Sequence, residues 1–305
     1  MRSLPSIFGP LAGCALFLAA ACSDDSNFAQ PNTSDLSCSI PSSQIFNGGP
    51  GKDGIPALNN PTFVQTNEGG LEYLTPNDRV VGIVIDEQAF AIPLNIFWWH
   101  EIVNMEVGDT KLAVTHCPLT GSSMFPVIET TWAGWLTLHP GTDVVSSDTG
   151  WDRDYQRYPY GAYDSPDNAN VLFDQVVNTT RPPKERALGV PLGSGGVVFP
   201  FGVLDEMGPV AAAPTGLLGE ELVVFWDRER DAAMAYYPTA DGQDLTFSIA
   251  GGEVFDDQTR SIWRVDGLSV GGPLAGTRLE PVADAFIGFW FAWPAFYPEI
   301  EVWTP

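Results

Sequence analysis

Thr131-Trp132-Ala133-Gly134-Trp135-Leu136-Thr137-Leu138-His139-Pro140 returns later in the chain as Phe289-Trp290-Phe291-Ala292-Trp293-Pro294-Ala295-Phe296-Tyr297-Pro298. Both stretches read Trp, two residues, Trp, three residues, His or Tyr, then Pro. Upstream, Val81-Gly82-Ile83 leads to Ile92-Pro93-Leu94, as Leu188-Gly189-Val190 leads to Phe199-Pro200-Phe201. Leu112-Ala113-Val114-Thr115-His116-Cys117 then corresponds to Leu222-Val223-Val224-Phe225-Trp226-Asp227. Three matches in the same order predict two homologous halves, residues 60–150 and 184–303, packed as one pseudo-symmetric body. The second half carries extra strands over about 228–280 that the first lacks. Trp132, Trp135, Trp290 and Trp293 lie three apart within each copy, which predicts two equivalent helices meeting near a pseudo-twofold.

Outward from the repeat, the pattern is one of short apolar runs separated by turn residues. Arg79–Ile85, Ala89–Pro93, Leu112–Thr115, Leu222–Trp226, Leu245–Ile249 and Ser261–Val265 are strand candidates, and Leu94–Trp99, Thr131–Leu138 and Phe286–Tyr297 are helix candidates. With 31 Gly and 26 Pro, long helices are disfavoured. The expected fold class is α+β, mainly β, with short Trp-rich helices. Residues 150–183 are polar, Tyr-rich and broken by Pro, and read as a long ordered excursion joining the halves.

The 305-residue chain carries 14 Lys and Arg against 38 Asp and Glu, a formal charge of −24. Such a surface repels phosphate backbones and anionic lipid, so nucleic acid is excluded as a partner. A hydrophobic content of 44% excludes disorder. The N-terminus is a targeting segment: Met1-Arg2-Ser3, an apolar run to Ala19-Ala20-Ala21, then Cys22 and a polar stretch. It resembles a bacterial lipoprotein signal, which makes residues 1–21 a signal peptide, Cys22 the lipidated residue and 22–50 a polar tether. Leu11-Ala12-Gly13-Cys14 offers an alternative, but its apolar core would be short. The expected location is the bacterial cell envelope, with the membrane reached through lipid and the domain, residues 51–305, facing the periplasm or cell surface.

Removing the signal takes Cys14, and with Cys22 lipidated, Cys38 in the tether and Cys117 in the domain remain as thiols. In an oxidising compartment two thiols commonly form one disulfide, which would tie the N-terminal segment to the body. The three His all fall in the first half, in Trp98-Trp99-His100-Glu101-Ile102-Val103-Asn104, in Thr115-His116-Cys117-Pro118, and at His139. Imidazole and thiolate suit copper or zinc, so His100, His116 and Cys117 are candidate metal ligands, with Cys38 as a candidate fourth. Alternation along a strand would point His116 and Cys117 to opposite faces unless the Cys-Pro turn redirects them. The enzymatic alternative makes Cys117 a nucleophile, with His100 or His116 as base and Glu101 or Asn104 orienting it. The single Asp148-Thr149-Gly150 triplet has no second copy, which excludes aspartic-protease chemistry.

Ile55-Pro56-Ala57-Leu58, the Trp-His-Glu-Ile-Val-Asn stretch, Val114–Ser122 and Thr259–Trp263 together resemble the bacterial family called domain of unknown function 3179. Asp148–Tyr155 and Pro159–Tyr163 resemble segments of its longer members. The similarity runs from about Cys38 to Trp303, and implies an exported or membrane-tethered protein with no established activity. Many members carry Cys-Pro-Leu-Cys-Gly where this chain has Thr120 in place of the second Cys, so a Cys-x-x-Cys pair is excluded at that loop. Three readings stand: a metal-binding or redox-associated envelope protein; a hydrolase or transferase with a Cys117 nucleophile; and a scaffold or module for a small ligand or envelope partner, stapled by Cys38–Cys117.

Overall fold

A computed structural model describes residue 51 and residues 54–124, 127–171, 177–217 and 219–305. The expected signal peptide, Cys14, Cys22, the tether and Cys38 lie outside them. The first half contains β1 (Leu58–Asn59), β2 (Phe63–Gln65), β3 (Arg79–Ile85), β4 (Gln88–Pro93), α1 (Leu94–His100), β5 (Ile102–Val107), β6 (Thr110–Cys117), β7 (Ser122–Met124), β8 (Ile128–Thr131), α2 (Trp132–Leu138) and β9 (Asp143–Val145). The second contains β10 (Arg186–Leu192), β11 (Gly195–Pro200), α3 (Phe201–Glu206), β12 (Val210–Leu217), β13 (Glu220–Asp227) and β14 (Ala232–Tyr236). Six short strands follow: β15 (Thr239–Ala240), β16 (Gln243–Asp244), β17 (Phe247–Ala250), β18 (Glu253–Asp256), β19 (Ile262–Trp263) and β20 (Ser269–Gly271). The chain ends with β21 (Phe286–Phe289), α4 (Ala292–Phe296) and β22 (Glu299–Val302).

The molecule is mainly β, and among the described residues its small sheets are arranged as a five-bladed β-propeller. Local chemistry sets the hairpins. Ile85 pairs with Gln88 across a two-residue turn, Asp86-Glu87, in which both residues take positive φ, the geometry that matches strand twist. Thr131 caps α2 by accepting a hydrogen bond from the Gly134 amide at 3.0 Å. α1 begins directly after Pro93 and stops where Glu101 turns left-handed, at φ 55°.

The two halves repeat one topology. Strands run in the order β9-β4-β3-β8 in the first sheet and β22-β11-β10-β21 in its counterpart. β3 meets β8 antiparallel as β10 meets β21, and β4 meets β9 parallel as β11 meets β22. The ribbon β5-β6-β7 matches β12-β13-β14, and His116 opposite Ser123 corresponds to Trp226 opposite Ala233. Each ribbon turn docks on the other half. Phe289 N–H donates to Thr120 O at 2.8 Å, and Thr131 N–H donates to Arg230 O at 3.2 Å. The extra strands β15–β20 sit between β14 and β21, within the span expected to be unique to the second half.

The Trp motif does not hold the halves together through paired helices. Phe286–Phe289, expected as the start of a helix, is a strand paired with β10, and Trp290 precedes α4. Each second Trp instead packs on a glycine in a strand of its own half. A Cβ at Gly82 would stand 2.3 Å from the Trp135 ring, and one at Gly189 would stand 2.4 Å from Trp293. The Trp135 indole donates to Thr142 Oγ1 at 2.9 Å, whereas the buried Trp293 indole nitrogen has no partner among the described residues. Ladder register puts Ile300 where the first half has Thr142, which accounts for the difference.

What does meet between the halves is charge. Arg79 and Arg186 open the equivalent strands β3 and β10. Both reach Glu129, at 2.9 and 3.2 Å, and both pair with Asp231.

Candidate functional site

His100 ends α1 fully buried. Its Nδ1 lies 2.8 Å from Pro56 O, an acceptor only, so Nδ1 carries the proton. Nε2 then accepts from the Tyr155 hydroxyl at 2.6 Å, and Tyr155 in turn receives a hydrogen bond from Thr149 Oγ1 at 2.5 Å. Burial pushes the imidazole pKa down, and the nearby Arg153 adds to this. His100 is thus a neutral pin joining α1, the segment before β1 and the loop at 149–155. Arg153 stacks against both Trp99 and Trp151, 5.7 and 5.8 Å from their ring centres.

His116 and Cys117 obey strand alternation. His116 points into the body, where Nδ1 lies 2.9 Å from Ser123 Oγ. Ser123 contacts Glu129 Oε2 at 3.4 Å, and Glu129 holds the two arginines. Burial drives the His116 pKa down to about 4, with Glu129 opposing and both arginines assisting. Burial would raise the Glu129 carboxyl, but Arg79 and Arg186 outweigh it and the net shift is downward. The result is a closed network around a buried ion pair.

Cys117 faces the other way, partly exposed and without a disulfide partner among the described residues. The Tyr-rich excursion lies beside it. Cys117 is among the charges that raise the Tyr158 and Tyr160 hydroxyl pKa values, after burial itself. Glu101 also acts on Tyr160, and burial raises the Glu101 carboxyl pKa as well. The Tyr158 hydroxyl is buried without a hydrogen-bond partner among the described residues. Tyr163 ties the excursion down by donating to Leu119 O at 2.9 Å. Thr120, at the position of the absent second Cys, contacts Ser122 through their hydroxyls at 2.7 Å.

The structure therefore sets Cys117 near Tyr158 and Tyr160, with Glu101 near Tyr160. It sets His116 on the opposite face of β6 and leaves both His100 nitrogens occupied. Asn104 pairs with Ala113, four residues and about 13 Å along the ladder from Cys117, and donates to Asn59 Oδ1 at 2.8 Å. A copper or zinc ion shared by His100, His116 and Cys117 would require both rings to leave these surroundings. Among the described residues, no three His, Cys, Asp or Glu side chains are grouped as a metal needs. Sequence reasoning missed Ser123, Glu129, Arg79 and Arg186. The arginines left a signal, since each stands three residues before the packing glycine of its half.

The family model for a protein of unknown function, DUF3179, matches residues 52–125 and 123–300. The chain belongs to the DUF3179 family. No curated protein and no solved structure matches it. Within this DUF3179 chain, His100, His116 and Cys117 fall in the first matched stretch, and the tyrosines beside Cys117 fall in the second.

Proposed function

We propose that the chain is an exported, lipid-anchored envelope protein whose reactive group is the Cys117 thiol, acting in thiol–disulfide exchange. One observation carries this reading. Cys117 is partly exposed and has no disulfide partner among the described residues, while Asp227, at the matching position in the second half, is engaged by Arg230. The scaffold itself thus asks nothing of residue 117. In the exchange, the Cys117 thiolate attacks one sulfur of a partner's disulfide. A mixed disulfide forms and the partner's second sulfur leaves as a thiolate. If Cys38 then attacks the mixed disulfide, a Cys38–Cys117 bridge results and the partner departs as a dithiol.

The same exposure favours a second reading, in which a permanent Cys38–Cys117 bridge makes the domain a non-catalytic module. Intact mass of the full chain, before and after reduction and with iodoacetamide, separates the two. Exchange predicts alkylation of native Cys117, its loss in Cys117→Ser, and a trapped mixed disulfide when a disulfide-bearing peptide is added. A chain that gains two hydrogens on reduction and is never alkylated beforehand is a stapled module, and the exchange reading fails.

A further inference from the structure

A large cavity lies away from Cys117, in the second half, at the open end between the β12–β14 sheet and the loop leading into β17. Its volume is about 960 Å³, at the upper end of the range of small-molecule sites. Ala212, Pro214, Val223 and Phe247 give it an apolar floor, stiffened where Phe225 and Phe247 meet edge to face at 5.0 Å. Tyr237 adds a second aromatic ring to the lining.

Four carboxylates, Glu220, Glu221, Asp244 and Glu280, complete the lining, and all four are exposed. None has an ion-pair partner among the described residues, and no Lys, Arg or His lines the cavity. The arginines are committed elsewhere, with Arg79 and Arg186 on Glu129, Arg228 on Asp205, and Arg264 and Arg278 on Asp266. Of the chain's 14 Lys and Arg, none among the described residues lines this opening.

We infer that this cleft binds a linear aliphatic polyamine, its ammonium groups on the rim carboxylates and its methylene runs on the apolar floor. Charge and shape select this class. Anions and nucleic acid are repelled by the rim. A neutral apolar ligand would leave four carboxylates crowding its edge without counter-charge. A divalent metal needs converging oxygens, and no such grouping exists among the described residues. A polyamine alternates charge and hydrocarbon as the lining does, and the faces of Tyr237 and Phe247 offer further attraction to an ammonium group.

The test is calorimetric titration of spermidine into the full chain at physiological salt. One saturable site is expected, with no binding of a neutral diol of the same chain length. Glu221→Gln combined with Glu280→Gln should weaken binding about tenfold or more. Glu299→Gln combined with Glu301→Gln, two exposed carboxylates of β22 outside the cleft, should leave it unchanged. Thermal melts of both double variants check that each is folded. Many weak sites, or equal losses in both variants, would reduce the effect to general attraction by an acidic surface and overturn the inference. A trilysine peptide that binds the cleft more tightly than spermidine would overturn it too, in favour of a basic protein segment.

Discussion

At the scale of single residues, the three side chains that looked alike as ligands have different duties. The structure separates them by what each ring or thiol touches. His100 and His116 are structural histidines kept neutral by burial, and Cys117 is partly exposed on the opposite face of β6 from His116. That separation makes a prediction about pH. An unfolded His takes its proton near pH 6.5, whereas folded His116 resists until about pH 4. Between those values the unfolded chain holds more protons, so stability is complete above about pH 6.5 and falls as pH drops toward 4. The ceiling on this loss is about 3 kcal/mol. His100, also shifted down, contributes with the same sign. Urea midpoints at pH 7.5 and pH 5 should therefore differ more in the wild-type chain than in His116→Asn. Equal sensitivity in both would show that His116 is not the group responsible.

At the scale of elements, sequence reading succeeded where a strand or helix is set by its own residues. β3 and α2 have nearly the bounds that alternation, turn residues and the Thr131 cap imply. It failed at Phe286–Tyr297, because Trp at three-residue spacing imitates a helix face. Pairing with β10 draws Phe286–Phe289 into a strand, and that contact spans about a hundred residues of chain. The motif's real work is local. Each second Trp lies flat on a strand glycine, where any side chain would collide with the ring. Gly82→Ala and Gly189→Ala should each cost about 1–3 kcal/mol through overpacking. Both should lower the thermal midpoint, while Gly141→Ala, whose Cβ meets nothing within 4 Å, should leave it nearly unmoved. If all three variants melt alike, the glycine–indole contact is not what constrains these strands.

At the scale of the whole molecule, two halves of one topology exchange their ribbon turns, and two equivalent arginines converge where they cross. The repeat was legible because the Trp motif and the apolar runs recur in order. The crossing was not, because Glu129 and Asp231 belong to different halves and only folding brings them together. This junction combines charge with burial, so its parts cannot be removed singly without penalty. Arg186 is enclosed deeply enough that burial and the neighbouring Arg79 lower its pKa to about 10, against the pull of Asp231 and Glu129. Glu129→Gln removes the carboxylate that both arginines share and leaves two guanidinium groups facing each other with Asp231 alone. The expected loss is about 3–5 kcal/mol in urea denaturation. Arg186→Met added to Glu129→Gln removes one of the stranded charges. The double variant should then be more stable than Glu129→Gln alone, a sign of coupling that a set of independent surface pairs would not give. A Glu129→Gln chain within about 1 kcal/mol of wild type, the range of an exposed pair, would mean that water enters the junction and that apolar packing alone holds the halves together.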